Sequence, residues 1–326
     1  MLKMMTAKEI LNKVYPEDTS LWGPYIEKGD LNGLIGGSDT GKSSFLRALA
    51  LAIVKGEKKF LGLPLKVKYN RVLIVSIEDG ELAVGRVFQR FYNENPDDPH
   101  MDNLKFVFEY EDDLGKGLDE ACSETKFDLV IIDCFSDAYT GSSGNDQMDV
   151  KKFLRAYDQM AKKHEVAILF LHHLNKKGSE FSASKRDVMG SAAFEQKLRC
   201  VLSLNKHQPG STTRVLKVVK GNYISTAIKN KELHLNFNEK EMKFEYLKTA
   251  EMTQEKIDPE IRKIEIAKYA VEELGVGTPE GPSYKEAAKQ VGEHFGDHVS
   301  HGALHKYVKV FKNRYDDPEN KVTVSP

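Results

Sequence analysis

The chain has 326 residues, 40% of them apolar and 30% charged, with a formal net charge of -1. That length accommodates one large α/β core plus a smaller domain, and so small a net charge excludes a global basic field, so any nucleic-acid contact must rest on local patches or on a ring of subunits. No apolar run reaches the ~18 residues that span a bilayer, the N-terminus lacks the apolar stretch of a signal peptide, and Cys122, Cys134 and Cys200 show no metal-ligand spacing; the expectation is a cytoplasmic protein with reduced thiols and no membrane partner.

Taken in chain order, residues 6–14 predict a short helix with Thr6 and Glu9 as a capping box. An aromatic loop over 21–26 follows, then an apolar strand over 31–35, a glycine-rich loop, and helical character over 45–54. Three further apolar runs, 72–77, 129–132 and 166–171, are nearly continuous and rich in β-branched residues, as strands covered on both faces are. Helical stretches over 81–91, 118–125 and 149–164 alternate with them, which predicts an α/β fold with a doubly wound, mostly parallel sheet. From about residue 198 the pattern changes. Runs over 199–204, 214–220, 232–237 and 243–247 alternate like antiparallel strands and suit a meander at the sheet edge.

The expected domains are an α/β core over 1–248, a polar linker over 249–258, and a helical module over 259–326 with a frayed tail. In that module Ile261, Ile264, Ala267, Val271 and Leu274 form one helical face, 275–282 is rich in breakers, and two more helices cover 284–294 and 299–314. The last carries His301, His305, Lys306, Lys309, Lys312 and Arg314, a spacing that suits phosphate contacts in a helix-turn-helix and equally suits a helical cap or an oligomer contact.

The chemistry lies at the ends of the apolar strands. Gly36-x-x-x-x-Gly41-Lys42-Ser43 has the Walker A pattern, set between a strand and a helix. Its glycines let backbone amides turn toward phosphate oxygens, Lys42 meets β/γ-phosphate charge, and the Ser43 hydroxyl holds Mg²⁺. The expected nucleotide loop is Gly36, Gly37, Ser38, Asp39, Thr40, Gly41, Lys42, Ser43 and Ser44, with ATP and Mg²⁺ as its ligands. Asp133 ends the 129–132 strand, the Walker B position for a carboxylate beside the metal; a strand-end aspartate can also cap a turn, but the upstream loop favours the metal reading. Glu78 and Asp79 end the 72–77 strand, and Glu78 is the expected base for the attacking water, with Asp79 supporting the site or capping the next helix. His172 and His173 end the 166–171 strand, and His173 is the expected reporter of the γ-phosphate.

The ordered set GGSDTGKSS, IED, VIID, LFLHHLNK, GSAAFEQKLR and VVKGNY, across residues 20–225, resembles the RecA-like ATPases of the RepA type, the small hexameric replicative helicases of plasmids and mobile elements. That resemblance implies a RecA-like P-loop core, with Lys42 and Ser43 as the Walker A pair, Glu78 as catalytic glutamate, Asp133 as Walker B aspartate and His173 as sensor. It also implies that Arg199 is an arginine finger reaching the neighbouring subunit's nucleotide, and that Lys220, in Lys220-x-Asn222-Tyr223, approaches the same nucleotide. It further implies a homo-oligomeric, hexameric ring that couples ATP hydrolysis at subunit interfaces to translocation on single-stranded DNA. The loop over 175–187, cationic at Lys176, Lys177, Lys185 and Arg186, suits contact with the DNA backbone in a central channel. The competing class is a RecA-like ATPase that loads, recruits or regulates other proteins on DNA without unwinding it. A GTPase is disfavoured because Asn175-Lys176-Lys177-Gly178 lacks the aspartate of an NKxD motif, and an ABC-type protein because no LSGGQ occurs.

Overall fold

A computed structural model describes residues 4–14, 19–92, 95–111, 113–141, 147–173, 192–208, 210–251, 259–279, 281–295 and 299–315. The chain divides into two compact units, Met1–Met252 and Thr253–Pro326. Among the described residues no helix is long and apolar enough to cross a membrane.

The first unit opens with α1 (Ala7–Asn12), closed at its start by the reciprocal Thr6–Glu9 capping box and with none of its residues buried. β1 (Ser20–Trp22) and β2 (Ile26–Glu27) form a small hairpin where the sequence predicted only a loop. β3 (Leu31–Gly36) leads through the glycine-rich loop into α2 (Lys42–Val54), and β4 (Lys59–Phe60) pairs with β5 (Leu63–Pro64) beyond it. Then come β6 (Val72–Ser76), α3 (Glu81–Val87) running on as a π-helical turn to Tyr92, β7 (Leu104–Val107), α4 (Leu114–Glu124) and β8 (Leu129–Asp133). α5 (Phe135–Ala138), α6 (Gln147–His164), β9 (Ala167–His173) and α7 (Ala192–Lys197) follow. The unit closes with β10 (Cys200–Lys206), β11 (Thr213–Gly221), α8 (Thr226–Lys229), β12 (Lys231–Asn238) and β13 (Lys243–Glu251).

One nine-stranded sheet carries the unit, in the order β13-β12-β11-β10-β3-β9-β8-β6-β7. The six strands from β10 to β7 are parallel, and β11 to β13 are antiparallel. β3, β6 and β8 are buried along their whole length, which is why their sequences are continuously apolar. Alternate residues feed separate cores on the two faces: Leu34, Val72 and Ile74 pack with α2, whereas Leu31, Ile35, Leu73 and Val75 pack with α4 and α6.

The structure corrects several readings. β10 alternates in sequence as an antiparallel edge strand does, yet it enters the sheet parallel to β3, with Cys200 opposite Asn32 and Ser203 opposite Ile35, and only its other side is antiparallel. α2 begins at Lys42 rather than Phe45, because the loop lysine and serines already belong to its first turn. β7, α5 and α7 are too short to produce a readable period, and were not expected. β13 runs to Glu251, into the stretch read as linker.

The second unit holds α9 (Pro259–Lys268), continued by a π-helical turn to Glu273, α10 (Tyr284–Phe295) and α11 (His301–Tyr315). Ile266, Ala270, Val291, Leu304 and Val308 are among its own buried core, and Ser283 with Glu286 closes the start of α10 as a capping box. His301, His305, Lys306 and Lys309 are exposed on α11.

Trp22, the chain's single tryptophan, anchors the N-terminal hairpin to the site-bearing helix. It is fully buried, donates Nε1–H to Phe60 O at 3.0 Å, and meets Tyr25, Phe45 and Phe60 edge-to-face with centroids 5.4–5.8 Å apart. Because Phe45 lies on the first turn of α2, this cluster fixes the helix that carries Lys42. Trp22→Ala is expected to lower stability by about 3–5 kcal/mol in urea unfolding followed by far-UV circular dichroism. A loss below about 1 kcal/mol would show that the hairpin does not brace the core.

Candidate active site

The site is built where four neighbouring parallel strands end. β3 ends at Gly36, where a Cβ would sit 2.3 Å from the carbonyl oxygen of Leu204, so only glycine allows β10 to run this close. Asp39 and Gly41 both have positive φ, 57° and 89°, and these turn the chain back over the strand end. A Cβ at Gly41 would also press on the rings of Phe237 and Phe244 at 3.1 Å. Gly41 is the N-cap of α2 and offers no side chain to the helix's first amides, which leaves them for an anion. Thr40 Oγ1 and Lys42 Nζ both donate to Gly37 O, at 3.1 and 2.7 Å. Ser38 and Asp39 are exposed, Ser43 is half-buried, and the Ser44 hydroxyl turns away to Met242 Sδ at 3.6 Å.

Two carboxylates and a histidine face this loop from the ends of β6, β8 and β9. Asp133 stands opposite Ser76 in the parallel ladder and is 7% exposed. Its Oδ1 has no hydrogen-bond partner among the described residues. Burial pushes its carboxyl above the usual range, with Glu78 and Asp79 adding to the rise and the Ser43 hydroxyl and Arg47 opposing it. Glu78 is exposed and meets His173, with Oε2 and Nε2 3.1 Å apart. Asp79 points elsewhere: its Oδ2 accepts from Arg47 on α2 at 2.9 Å and its carbonyl accepts from the Ser76 hydroxyl. It therefore ties β6 to α2, and the N-cap of α3 is Gly80 instead. Strand alternation separates the two histidines. His172 is buried against Phe135 and Phe194, with centroids at 5.3 and 4.9 Å, while His173 reaches the site.

Lys42 is 4% exposed, and burial pulls its ammonium down to about 8, against the opposing pull of Asp133 and Glu78. Set against its ordinary value of 10.5, holding that charge costs the nucleotide-free fold about 3 kcal/mol at neutral pH. A bound polyphosphate would reverse the sign of this contribution. The buried cation, the unpaired Asp133 oxygen and the glycine-only approaches together fit Mg²⁺ and a nucleotide phosphate chain.

Arg199 and Lys220 lie at the other edge of the sheet. The Arg199 amide bonds Leu31 O at the start of β3, five residues and roughly 16 Å from Gly36. Its guanidinium pairs with Asp30, at 3.0 and 3.3 Å, and lies 4.9 Å from the centroid of the exposed Tyr223 ring. Lys220 Nζ donates to the carbonyls of Glu195, Gln196 and Leu198, at 2.5–3.0 Å, so in this chain it caps the C-terminal end of α7. The cationic loop over 175–187, together with Gly190, Ser191 and the tail over 316–326, lies outside the described residues.

Sequence reasoning missed Arg214. It is 1% exposed on β11 and donates Nε–H to Thr40 O in the glycine-rich loop at 3.0 Å, while its other nitrogens reach Ser211 O and Glu239. An arginine at an inward position of an alternating strand was the available signal.

The family model described as AAA domain matches residues 2–179, more than half of the chain. The chain belongs to the AAA domain family. A search of curated proteins returned no match. Among solved structures, the chain is similar to one described as an "ATPase Domain", with a TM-score of 0.53 at 13% identity, covering 68% of this chain and 86% of that one. At that identity the likeness establishes the fold alone: a RecA-like core with a mostly parallel sheet and antiparallel edge strands. The family supports an ATP-binding, ATP-hydrolysing protein.

The buried ammonium yields a test. Lys42→Met keeps Gly37 O satisfied through Thr40 and removes the charge, so the nucleotide-free variant is expected to gain about 1–2 kcal/mol and melt a few degrees higher. Between pH 8 and 10.5 the unfolded wild-type chain holds more protons at this position than the folded one, so wild-type stability rises with pH across that window relative to the variant. ATP·Mg²⁺ should stabilise only the wild type. A variant that melts lower than wild type, with no change in the pH slope, would mean that the charge is not strained.

Proposed function

We propose that the chain is the ATPase motor of a homo-oligomeric ring of the RepA type, coupling ATP hydrolysis to movement on single-stranded DNA in the cytoplasm during replication of a plasmid or mobile element. The observation that carries this reading is the polarity of the sheet. Lys42, Ser43, Glu78, Asp133 and His173 gather at the C-terminal edge, while Arg199 sits roughly 16 Å away at the opposite edge, too far to serve its own chain's nucleotide. Head-to-tail packing of identical copies brings one edge against the other, and a ring follows when the rotation closes.

In this reading Lys42 and the α2 amides hold the phosphates, and Ser43 and Asp133 hold Mg²⁺, which when bound neutralises phosphate charge. Glu78 takes the proton from the attacking water, and His173, paired with Glu78, couples the nucleotide state to β9 and to the segment that follows it. Arg199 leaves Asp30 to approach the neighbour's γ-phosphate, so hydrolysis waits on assembly. Lys220, by capping α7, steadies the segment that precedes Arg199 and need not itself reach the nucleotide. The basic exposed face of α11 is a second, sequence-independent contact for DNA phosphates.

Glu78→Gln is expected to bind ATP while turnover falls about 10²–10⁴-fold. Arg199→Ala is expected to bind ATP within a few-fold of wild type and to lose hydrolysis by about 10³-fold or more. Mixing Arg199→Ala with Lys42→Ala subunits should restore part of the activity, since some interfaces then pair an intact loop with an intact arginine. No restoration in verified mixed oligomers would sink the shared site. ATPase activity stimulated by single-stranded DNA, without separation of a forked duplex at several salt concentrations, would instead identify a protein that loads or regulates others.

A further inference from the structure

We propose that Glu78, Cys134 and His173 form a site for a thiophilic divalent cation of the zinc class, and that its occupancy switches hydrolysis off. A carboxylate oxygen of Glu78, Sγ of Cys134 and a ring nitrogen of His173 all lie within 4.8 Å of one another, contributed by the ends of three adjacent strands. One oxygen, one sulfur and one nitrogen donor, with one direction left open, is the set that zinc accepts in three-ligand sites. Mg²⁺ prefers an all-oxygen shell, so the thiol is of no use to the magnesium site formed by Ser43 and Asp133. Cys134 also has no part in the hydrolytic scheme.

The three groups are suited to close on an ion. Tetrahedral zinc holds its ligand atoms roughly 3.4 Å apart, close to the 3.1 Å between Glu78 Oε2 and His173 Nε2, and every separation in the cluster is within 4.8 Å. Cys134 is the fixed member: it is 1% exposed, and its sulfur lies 2.9 Å from Ser136 Oγ and 3.5 Å from Asp137 Oδ2. Glu78 and His173 are the adjustable members, with side chains 52% and 38% exposed and already in contact with each other. On binding, the thiol loses its proton to solvent and the sulfur takes the metal in its place. Glu78 then donates its lone pairs to the cation and no longer accepts a proton from water. The inhibitory part rests on Glu78 being the base; the binding part does not.

The test uses the full chain without nucleotide and Co²⁺ as the probe. Binding is expected to give a thiolate-to-cobalt charge-transfer absorption that Zn²⁺ bleaches, Cys134→Ser and Cys134→Ala abolish, His173→Ala abolishes or weakens severely, and Cys122→Ser and Cys200→Ser leave intact. No such absorption in the wild type, or one that survives loss of the Cys134 sulfur, overturns the site. In the second arm, ATPase rates are compared at buffered free Zn²⁺ with Mg²⁺ in excess. Wild type should slow by about tenfold or more, and Cys134→Ser, which keeps basal turnover, should not. Equal inhibition of both overturns the switch. A wild type with no ATPase activity would fail the proposed function while leaving the cobalt result to be judged by itself.

Discussion

A lysine ammonium held out of water at the end of a parallel strand is the constraint around which the first unit is arranged. Lys42 is 4% exposed, and within its own loop its charge is met by the Gly37 carbonyl oxygen and, more weakly, by the Asp39 carboxylate. The carboxylates that moderate it most, Asp133 and Glu78, arrive from other strands, so the sheet that buries the charge also brings its partners. Asp133 carries the converse strain, an acid whose ionised form is opposed by burial. Each of these groups is better satisfied with a polyphosphate and a cation between them. A polyphosphate and a cation bound there would therefore release stabilisation that the fold alone does not have.

The antiparallel half of the sheet braces this arrangement. Arg214 of β11 carries the Thr40 carbonyl, and the stacked rings of Phe237 and Phe244, 4.5 Å apart, lie under Gly41. Phe244 also meets Phe45 at 5.5 Å, and Phe45 meets Trp22, so edge strands, loop, α2 and N-terminal hairpin form one packed series. On the other side of α2, Arg47 joins Asp79 and so sets the position of the turn that presents Glu78. Small displacements of any of these elements are therefore felt at the phosphate loop.

The sheet's direction separates two sets of residues that a single chain never brings together. Parallel strands send all their C-terminal ends to one edge, and helix N-termini with them, so the anion-binding chemistry collects there. Arg199 enters at the start of β10 and is committed to the other edge, where Asp30 and Tyr223 hold its guanidinium. The chain thus has Lys42, Asp133 and Glu78 at one edge and the Arg199–Asp30 pair at the other, joined by the strands between them.

What the sequence by itself determined was local and periodic. Continuous apolar runs announced β3, β6, β8 and β9, because strands buried on both faces tolerate nothing else. The spacing of Gly36, Gly41, Lys42 and Ser43 announced a tight turn from β3 into α2, because the backbone there takes positive φ at Gly41 and leaves no room for a side chain at Gly36. Only the tertiary structure decided what depends on which strands are neighbours. It put β10 parallel to β3 despite its alternating pattern, gave Arg214 to the loop and Asp79 to Arg47, turned His172 inward and His173 to Glu78, and brought Cys134 within reach of both. These contacts join residues far apart in the chain, and no period or motif encodes a strand order. They arise when the sheet closes its ranks, and the charges it buries must then find their partners.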